Sequence, residues 1–377
     1  MKKNICPQSL CIIFKTLKDC PYQKLSLYSF LFISQALSAC SGVRLITKDT
    51  SVVYARTMEF PLDFKSAIIA IPRNTHFVGT LPDKKEGLRW KNKYGILGTN
   101  GLGIDHIIDG FNEKGLAIGL YYFARHAEYK PLTNKTARQS VAPWELGTYL
   151  LSTCATVQDV RTALEKVYVV PTYQEAMKIV PPVHFTVHDA SGKSLVIEYI
   201  KGELVLYDNP LGVMTNSPSF DWHMTNLRNY VHLFTPQPIK ISLHGVELFP
   251  TGQGSNFWGL PGDFTPPSRF VRLVTLSQTA HPAATADEGV NLAINIINNI
   301  TIPRGSVVEE KGDIKQFEYT QWTTICDLTN TRLYYRTYDN HCYRYVDAKK
   351  LSFKGKTIKR IIMDEPACYA DYTNKLQ

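Results

Sequence analysis

The sequence of 377 residues lacks the features that divide a chain into separate domains. No stretch rich in proline, glycine and serine, no internal repeat and no low-complexity run interrupts it, so we expect one large domain. Beyond the first forty residues no apolar run is long enough to cross a bilayer, so no membrane span is expected there. The shares of apolar and charged residues are those of an ordinary globular protein.

Motifs of several catalytic and binding classes are missing too. There is no Gly-x-Ser-x-Gly elbow of the serine hydrolases and no papain-like cysteine signature. Residues 192–194, Gly-Lys-Ser, are similar to the end of a phosphate-binding loop, but Val187 stands where that loop requires glycine. His184 and His188 share a strand face without a third metal ligand at a suitable spacing. We therefore expect no metal and no organic cofactor.

Residues 1–39 carry the pattern of a secretory signal peptide. An apolar run over residues 25–37 is too short to span a bilayer comfortably, and small residues up to Ala39 follow it, immediately before Cys40. We expect this leader to be removed, which leaves residues 40–377 as a single catalytic domain that is periplasmic or secreted. The basic lead before the apolar run consists of Lys2, Lys3, Lys15, Lys18 and Lys24.

No strong excess of charge points to a nucleic-acid partner. Loss of the leader lowers the formal net charge from +9 to +5, because the leader holds five lysines and one aspartate. The densest basic run, over residues 349–360, alternates with apolar side chains and is typical of a solvated strand face. We therefore expect no binding of nucleic acid.

The number of cysteines left after export is odd. In an oxidising compartment, five cysteines allow at most two disulfides and one free thiol. Cys40 is the candidate for the free thiol, since it stands at the expected cleavage site. Three of the eight cysteines belong to the leader, and the others are Cys40, Cys154, Cys326, Cys342 and Cys368.

Residue periodicity predicts three β-hairpins and three helices. Thr156, with Asp159 three residues later, has the pattern of a helix N-terminal capping box. Hairpins combined with a few separate helices favour an α+β fold in which helices pack on antiparallel sheet. The hairpins are expected over residues 41–56, 184–200 and 322–338, and the helices over residues 155–167, 268–277 and 287–297.

Cys40 has the chemistry that a nucleophile requires. A free thiol has a pKa of about 8.5 and needs assistance to react near neutral pH. Cleavage before Cys40 would free an α-amine, whose pKa of about 7.7–8 suits a general base. Arg56, on the return strand of the same hairpin, can favour the thiolate, and Glu59 can accept a hydrogen bond from the α-ammonium group.

A second interpretation of Cys40 stays open from these residues alone. Leu-Ser-Ala-Cys at residues 37–40 also fits a bacterial lipoprotein cleavage box, in which the cysteine is lipidated as an anchor. The chain would then be a lipid-anchored binding protein without catalysis, and its α-amine would be blocked.

Six motifs follow one another along the mature chain. They are Cys-Ser-Gly-Val-Arg with Ala-Arg-Thr-Met-Glu-Phe (40–44 and 55–60), Asp-Gly-Phe-Asn-Glu-Lys-Gly-Leu (109–116), Gly-Leu-Tyr-Tyr (119–122), Thr-Asn-Ser-Pro-Ser-Phe-Asp-Trp (215–222), Gly-Leu-Pro-Gly-Asp with Ser-Arg-Phe-Val-Arg (259–263 and 268–272), and Leu-Tyr-Tyr-Arg-Thr-Tyr-Asp-Asn (333–340). In this order the chain resembles the choloylglycine hydrolase and penicillin V acylase family, the linear amide C–N hydrolases of the N-terminal nucleophile superfamily.

The resemblance implies a four-layer αββα fold of the α+β class, with two stacked antiparallel sheets flanked by helices. It implies that Cys40 is the nucleophile, released by processing, and that Arg56 lies near its sulfur. Glu59 stands where many members of the family have aspartate, so the carboxylate group is present but on a side chain that is one methylene group longer.

The resemblance also implies a site for the oxyanion of a tetrahedral intermediate. Asn216 matches the asparagine whose side-chain amide helps to bind the oxyanion. Tyr121 matches the second oxyanion position, through its backbone or side chain, and Arg269 matches the arginine that supports the site. A positioned donor of this kind lowers the barrier by about 3–4 kcal/mol.

The implied activity is hydrolysis of a linear amide C–N bond, of the conjugated bile salt or penicillin V type, through an acyl-enzyme. The partner would be a small-molecule amide with a bulky apolar acyl group, and a homo-oligomer is expected, since members of the family are often tetramers. An N-acyl homoserine lactone acylase, which uses the same chemistry, stays an alternative, as does the lipid-anchored binding protein.

Overall fold

Residues 40–311 and 314–376 are described by a computed structural model, and β-strands make up most of its regular structure. The leader predicted over residues 1–39 lies outside the described residues, so its removal stays a prediction. The single catalytic domain over residues 40–377 stays a prediction as well. Among the helices of the described residues, none combines the length and the apolar character that a membrane crossing needs.

Two helical regions alternate with three strand-rich regions along the chain. The strands are β1 (Ser41–Ile46), β2 (Val52–Phe60), β3 (Ala67–Ile71), β4 (His76–Thr80), β5 (Glu86–Lys91), β6 (Ile96–Thr99), β7 (Asp109–Asn112), β8 (Ala117–Tyr122), β9 (Ser140–Val141), β10 (Tyr168–Val169), β11 (Val183–His188), β12 (Ser194–Ile200), β13 (Glu203–Asp208), β14 (Val213–Met214), β15 (Ile241–Leu243), β16 (Val246–Leu248), β17 (Val307–Lys311), β18 (Ile314–Asp327), β19 (Arg332–Thr337), β20 (Arg344–Asp347) and β21 (Lys359–Ile362). The α-helices are α1 (Leu146–Thr153), α2 (Val157–Leu164), α3 (Phe220–Leu227), α4 (Pro266–Thr279) and α5 (Ala286–Ile297). The first helical region holds α1 and α2, and the second holds α3 to α5.

Two large antiparallel sheets carry the described fold. The first sheet has seven strands in the order β14-β1-β2-β18-β19-β20, with β17 paired to β18. The second has eight strands in the order β13-β12-β11-β8-β7-β6-β3-β21. The start of β1 and the end of β8 come from different sheets, and both contribute to the cavity described below.

Three buried apolar clusters define four layers. The inner cluster joins Tyr54 and Leu333 of the first sheet to Ile68 and Phe111 of the second, so the two sheets face each other. Helices α4 and α5 pack on the outer face of the first sheet, and α1 and α2 pack on the outer face of the second. Burying one face of each helix against a sheet produces the αββα arrangement. The predicted fold class is confirmed.

The predicted hairpins and helices are present with small shifts at their ends. The hairpins are β1–β2, β11–β12 and β18–β19, and the helices are α2, α4 and α5. Thr156 caps α2 as predicted: its hydroxyl accepts a hydrogen bond from Asp159 N, and the Asp159 carboxylate accepts one from Thr156 N.

Three parts of the fold differ from the sequence-based expectations: the basic run over residues 349–360 and helices α1 and α3. Most of the basic run over residues 349–360 is exposed, although Phe353 is buried, and it is largely irregular, because β21 begins only at Lys359. Helix α1 was not predicted because most of its side chains are buried, so it lacks the apolar stripe of a surface helix. Helix α3 was not predicted either, and only Phe220 and His223 of its residues are buried.

Candidate active site

Cys40 stands immediately before β1, at the end of the first sheet. The register of the hairpin pairs Ser41 with Thr57, and Cys40 lies opposite Met58, with 3.6 Å between the two sulfur atoms. The Cys40 side chain is buried, and Arg56 Nη2 lies 3.5 Å from its sulfur. Burial raises the pKa of the Cys40 thiol, and the neighbouring Arg56 charge acts in the opposite direction.

Arg56 is fully buried in β2 and directs its guanidinium at the sulfur. Its Nη1 donates to Ile108 O at 2.7 Å and its Nη2 donates to Leu120 O, while the Asp109 carboxylate lies 3.7 Å from Nη1. Burial alone would lower the pKa of Arg56, but the charges of Cys40 and Asp109 raise it above its ordinary value. The guanidinium therefore stays charged and favours the thiolate.

Asp109 supplies the negative charge that balances Arg56, and the sequence analysis gave it no role. Its Oδ1 accepts a hydrogen bond from Tyr54 Oη at 3.0 Å, and its Oδ2 accepts one from Thr324 Oγ1 at 2.6 Å. Burial raises the pKa of Asp109, while Arg56 and these hydrogen bonds lower it. Asp109 is the first residue of the motif over residues 109–116, and this position is the feature of the sequence that could have indicated a role for it.

Glu59 is fully buried in β2, the strand that pairs with β1. Its carboxylate accepts hydrogen bonds from Thr57 Oγ1 at 3.0 Å and from Thr320 Oγ1 at 2.6 Å, and its backbone oxygen lies 3.9 Å from Cys40 Sγ. Burial raises the pKa of Glu59 to about 7, although Arg269 acts to lower it. The predicted hydrogen bond from the α-ammonium group to this carboxylate stays a prediction, because in the intact chain the Cys40 nitrogen is an amide.

Asn216 and Arg269 join Cys40 to the second sheet. Asn216 Oδ1 accepts hydrogen bonds from Cys40 N and from Arg269 Nη2, both at 2.8 Å, and its Nδ2 donates to Tyr122 O at 2.9 Å. Arg269, in α4, also donates to Cys40 O at 2.7 Å and to Ser41 Oγ. Arg269 therefore holds the carboxamide and the start of β1 in one arrangement.

The structure places the side chains of Tyr121 and Tyr122 on opposite faces of β8, and the predicted role of Tyr121 at the oxyanion stays a prediction. The Tyr121 hydroxyl is 2.6 Å from Tyr54 Oη, and its ring lies under the Arg56 guanidinium, 4.8 Å from Cζ. Adjacent side chains of a strand point to opposite faces, so it is Tyr122 that lines the cavity. Tyr122 O accepts a hydrogen bond from Asn216 Nδ2, and in a β-strand the N–H of the same residue points to the same side as its carbonyl group. Side chains alternate between the two faces of a strand, so the sequence Gly-Leu-Tyr-Tyr already indicates that only one of the two tyrosine side chains can face the cavity.

An apolar cavity that opens to solvent is lined by Cys40. The lining of the cavity contains one charged side chain, Arg56, and one amide side chain, Gln174, and its other side chains are almost entirely apolar. Such a surface suits a bulky apolar group placed next to the sulfur. The lining includes Met58, Phe60, Phe64, Leu102, Ile104, Ile108, Leu120, Tyr122, Trp144, Met177, Pro181 and Val183.

Comparison with known proteins identifies the family. Residues 40–360 match the model of the linear amide C–N hydrolases, choloylglycine hydrolase family. The chain belongs to this family.

Relatives of the choloylglycine hydrolase family cover almost the whole described chain. A bile salt hydrolase/transferase of Clostridium perfringens is 34% identical over 328 residues, which are 85% of this chain and 95% of that protein. A penicillin V acylase of Pectobacterium atrosepticum is 28% identical over 80% of this chain and 78% of its own length. The solved conjugated bile acid hydrolase of C. perfringens superposes with a TM-score of 0.78 at 30% identity, covering 89% of this chain and all of that one.

The chain is an amide hydrolase, and its cluster holds most of the residues that the sequence analysis named. Tyr121 lies behind the guanidinium, while Tyr122 and Asp109, which the sequence did not single out, contact Asn216 and Arg56. Within the described ranges no group of three or more histidine, cysteine, aspartate or glutamate residues is placed to hold a metal ion. The residues brought together are Cys40, Arg56, Glu59, Asn216 and Arg269.

Proposed function

We propose that the mature chain hydrolyses a linear amide with a bulky apolar acyl group, using Cys40 as an N-terminal nucleophile and passing through an acyl-enzyme. The observation that carries this proposal is the position of Cys40: its sulfur lies 3.5 Å from a buried guanidinium, its nitrogen lies 2.8 Å from Asn216 Oδ1, and an apolar cavity opens at the sulfur.

The proposed reaction begins when cleavage before Cys40 frees the α-amine. The amine takes the thiol proton, Arg56 stabilises the thiolate, and the sulfur attacks the substrate carbonyl. Asn216 Nδ2 and the Tyr122 N–H donate to the oxyanion, with Asn216 Nδ2 exchanging its present bond to Tyr122 O for the new one. The α-ammonium group then protonates the leaving amine, and water hydrolyses the thioester to release the acid.

The cavity supports an acyl group of the steroid or phenoxyacetyl kind, as in conjugated bile salts and penicillin V. Phe60 packs edge-on against Phe64 and Tyr122, with ring centroids 4.8 Å and 5.8 Å apart, so aromatic surface is offered to the acyl group. The relatives named above are hydrolases of bile salts and an acylase of penicillin V, and both substrates belong in the first assays.

Burial of Cys40 argues against the lipid anchor. Cys40 is 2% exposed and its sulfur lies beside Met58, Arg56 and the backbone oxygen of Glu59, so the thiol belongs to a buried charged network, as expected for a catalytic cysteine. We therefore propose an exported enzyme with a free N-terminal cysteine.

We also propose that the enzyme is a homo-oligomer that uses an apolar segment, residues 231–258. This segment includes the β15–β16 hairpin, and an exposed apolar surface of this extent marks an interaction site. Light scattering coupled to gel filtration tests the proposal, and a monomer at micromolar concentration would contradict it. The exposed side chains are Val231, Phe234, Ile239, Ile241, Leu243, Val246, Leu248, Phe249 and Trp258.

The experiment for the proposed function compares the exported wild-type protein with Cys40→Ala on glycocholate and on penicillin V. We expect hydrolysis of at least one substrate by the wild type and none by the variant. Cys154→Ala is the matched control, because Cys154 is also a buried free thiol but belongs to the cluster under α1 and α2. Wild-type protein without activity on either amide, or activity that survives in Cys40→Ala, would contradict the proposal.

A further inference from the structure

Two buried histidines contact the backbone on either side of the Asn216 carboxamide. His184 Nε2 lies 3.1 Å from Thr215 O, and His223 Nε2 lies 2.8 Å from Asn216 O. Both rings are fully buried, and so is Thr215. Two consecutive carbonyl groups of one short segment are thus each held by an imidazole.

The hydrogen-bond partners of His184 fix the hydrogen on its Nε2 atom. A backbone carbonyl can only accept, so His184 Nε2 carries a hydrogen. Its Nδ1 lies 3.1 Å from Glu198 Oε1, which also accepts from Phe220 N at 3.0 Å. The ring therefore bridges Glu198 and Thr215, and imidazole can do this because its two nitrogen atoms face opposite directions.

Packing holds both rings in these orientations. His184 stacks on Phe123 with 4.2 Å between centroids and 8° between the planes. His223 stacks on Phe270 with 4.7 Å and 13°, and burial lowers the pKa of His223 to about 4, so its ring is neutral. Neither ring is among the residues that line the cavity at the sulfur.

We propose that His184 and His223 are positioning residues that hold the Thr215–Asn216 backbone so that the Asn216 carboxamide points at the developing oxyanion. This inference rests on the proposed function, because it assumes that Asn216 binds the oxyanion. Oxyanion donors act only from a narrow range of positions, so a small displacement of this backbone lowers the rate without removing the donor.

The strand that carries His184 offers its own control. His188 lies four residues further along β11 and is equally buried, but neither of its ring nitrogen atoms has a hydrogen-bond partner in the described part of the chain. Phenylalanine at either position keeps an aromatic ring and removes the nitrogen atoms. The two substitutions therefore differ in the loss of hydrogen bonds to Glu198 and Thr215.

The experiment measures amide hydrolysis and, separately, the rate at which iodoacetamide alkylates Cys40. Alkylation needs the thiolate but forms no oxyanion, so it reports an intact nucleophile. We expect His184→Phe to lower kcat by about 10-fold to 100-fold with little change in KM, within the range known for a disturbed donor. Alkylation should stay within about twofold of the wild-type rate, and His188→Phe should match the wild type in both assays.

Partial recovery in His184→Gln, which keeps one amide donor, is also expected. Equal kcat values for His184→Phe and His188→Phe would overturn the inference, and so would a parallel loss of alkylation and hydrolysis. If His184→Phe does not fold, His223→Phe takes its place with the same two assays. A wild-type protein that hydrolyses no amide would instead be a failure of the proposed function.

The C-terminal tail, residues 363–376, lies along the turn that follows β19. Asn340 Nδ2 donates to Pro366 O at 2.6 Å, and Arg344 Nη1 lies 3.0 Å from Glu365 Oε2. Between these contacts, Cys342 Sγ lies 3.0 Å from Cys368 O. The family match ends at residue 360, so this tail is outside the shared part of the chain.

We infer that Cys342 and Cys368 are a disulfide-forming pair that ties this tail to the body of the enzyme. Both thiols are exposed, Cys342 Sγ lies 3.0 Å from Cys368 O, and a hydrogen bond that the Cys342 thiol donates to Cys368 raises the pKa of Cys342. Cys154 and Cys326 are buried in two different clusters and are not partners for each other. A small-molecule or protein disulfide accepts the two electrons and two protons, the two S–H bonds break, and one S–S bond forms.

Peptide mapping without reduction tests this pair on the full chain after incubation with oxidised glutathione. Trypsin should release residues 337–344 joined to residues 361–375, and three of the five cysteines of residues 40–377 should still react with iodoacetamide after unfolding. The pair is overturned if both peptides are recovered alkylated, if each carries glutathione, or if either is joined to another peptide.

Discussion

The Cys40 site and the apolar segment depart from the usual distribution of residues in opposite ways. The site buries charged side chains completely, whereas the segment leaves Ile239 85% exposed and Trp258 87% exposed. Buried charge and exposed apolar surface are the two informative departures from an ordinary fold, and each needs a compensating partner. In the site the partners lie within the chain, while for the segment we propose a second copy. The buried charged residues are Arg56, Glu59, Asp109 and Arg269.

The largest effect is expected from Arg56→Met. This substitution leaves Asp109 as an uncompensated buried charge, so we expect the free energy of unfolding to fall by about 3–5 kcal/mol. Hydrolysis should be lost with it, because the thiolate loses its neighbouring cation. Urea unfolding measures the first effect, and the double variant Arg56→Met with Asp109→Asn should recover much of the lost stability.

An exposed ion pair provides the matched control for that prediction. Arg89 pairs with Glu86 on β5, and both side chains are about two-thirds exposed. Arg89→Met should change the free energy of unfolding by less than about 1 kcal/mol. Similar losses for the two arginine variants would remove the distinction between the buried network and the surface.

A smaller effect, confined to catalysis, is expected from Asn216→Ala. Loss of one oxyanion donor should lower kcat by about 10²–10³-fold, with a modest change in KM. Asn291→Ala, at an exposed position of α5, should leave kcat unchanged. Steady-state kinetics measures both variants on whichever of glycocholate and penicillin V the wild type hydrolyses faster. A change in KM alone would show that Asn216 binds substrate without stabilising the transition state.

The fold could be predicted from the sequence further than the site could. Alternation and capping identified β1–β2, β11–β12 and α2, because these signals are local. The choice between Tyr121 and Tyr122 depends on which strand face meets the cavity, and two adjacent tyrosines give no periodic signal. The role of Asp109 depends on the contact of β7 with β2 from the other sheet, which no local pattern encodes.

The pH dependence of stability tests the burial of Glu59. Its pKa is raised from 4.5 to about 7 in the folded protein, so the folded state binds the Glu59 proton more tightly than the unfolded state does. The contribution of the protonated carboxyl group to the free energy of unfolding is therefore complete below pH 4.5 and is lost as the pH rises through 7. The glutamine side chain of the Glu59→Gln variant is neutral at every pH, so its free energy of unfolding does not include this pH-dependent loss. Between pH 4.5 and 8 we therefore expect the variant to gain up to about 3 kcal/mol relative to the wild type. Parallel stability curves from chemical unfolding would contradict the raised pKa.

The smallest effect on stability is expected in the apolar segment. Ile241→Ser and Leu243→Ser should each change the free energy of unfolding by no more than about 0.5 kcal/mol for the isolated subunit, because both side chains are about half exposed. Leu273→Ala, at a fully buried position of α4, should cost about 2–5 kcal/mol. The serine variants should instead shift the oligomeric state in gel filtration, and an unchanged assembly would place the interface elsewhere.

The measurement that tests the central claim most directly is the intact mass of the exported protein, together with its N-terminal sequence. The account predicts a mature chain that begins with an unmodified Cys40, whose free α-amine can serve as the base. A mass that includes a diacylglycerol group on Cys40, or a chain that begins at another residue, would leave no such amine and would contradict the mechanism.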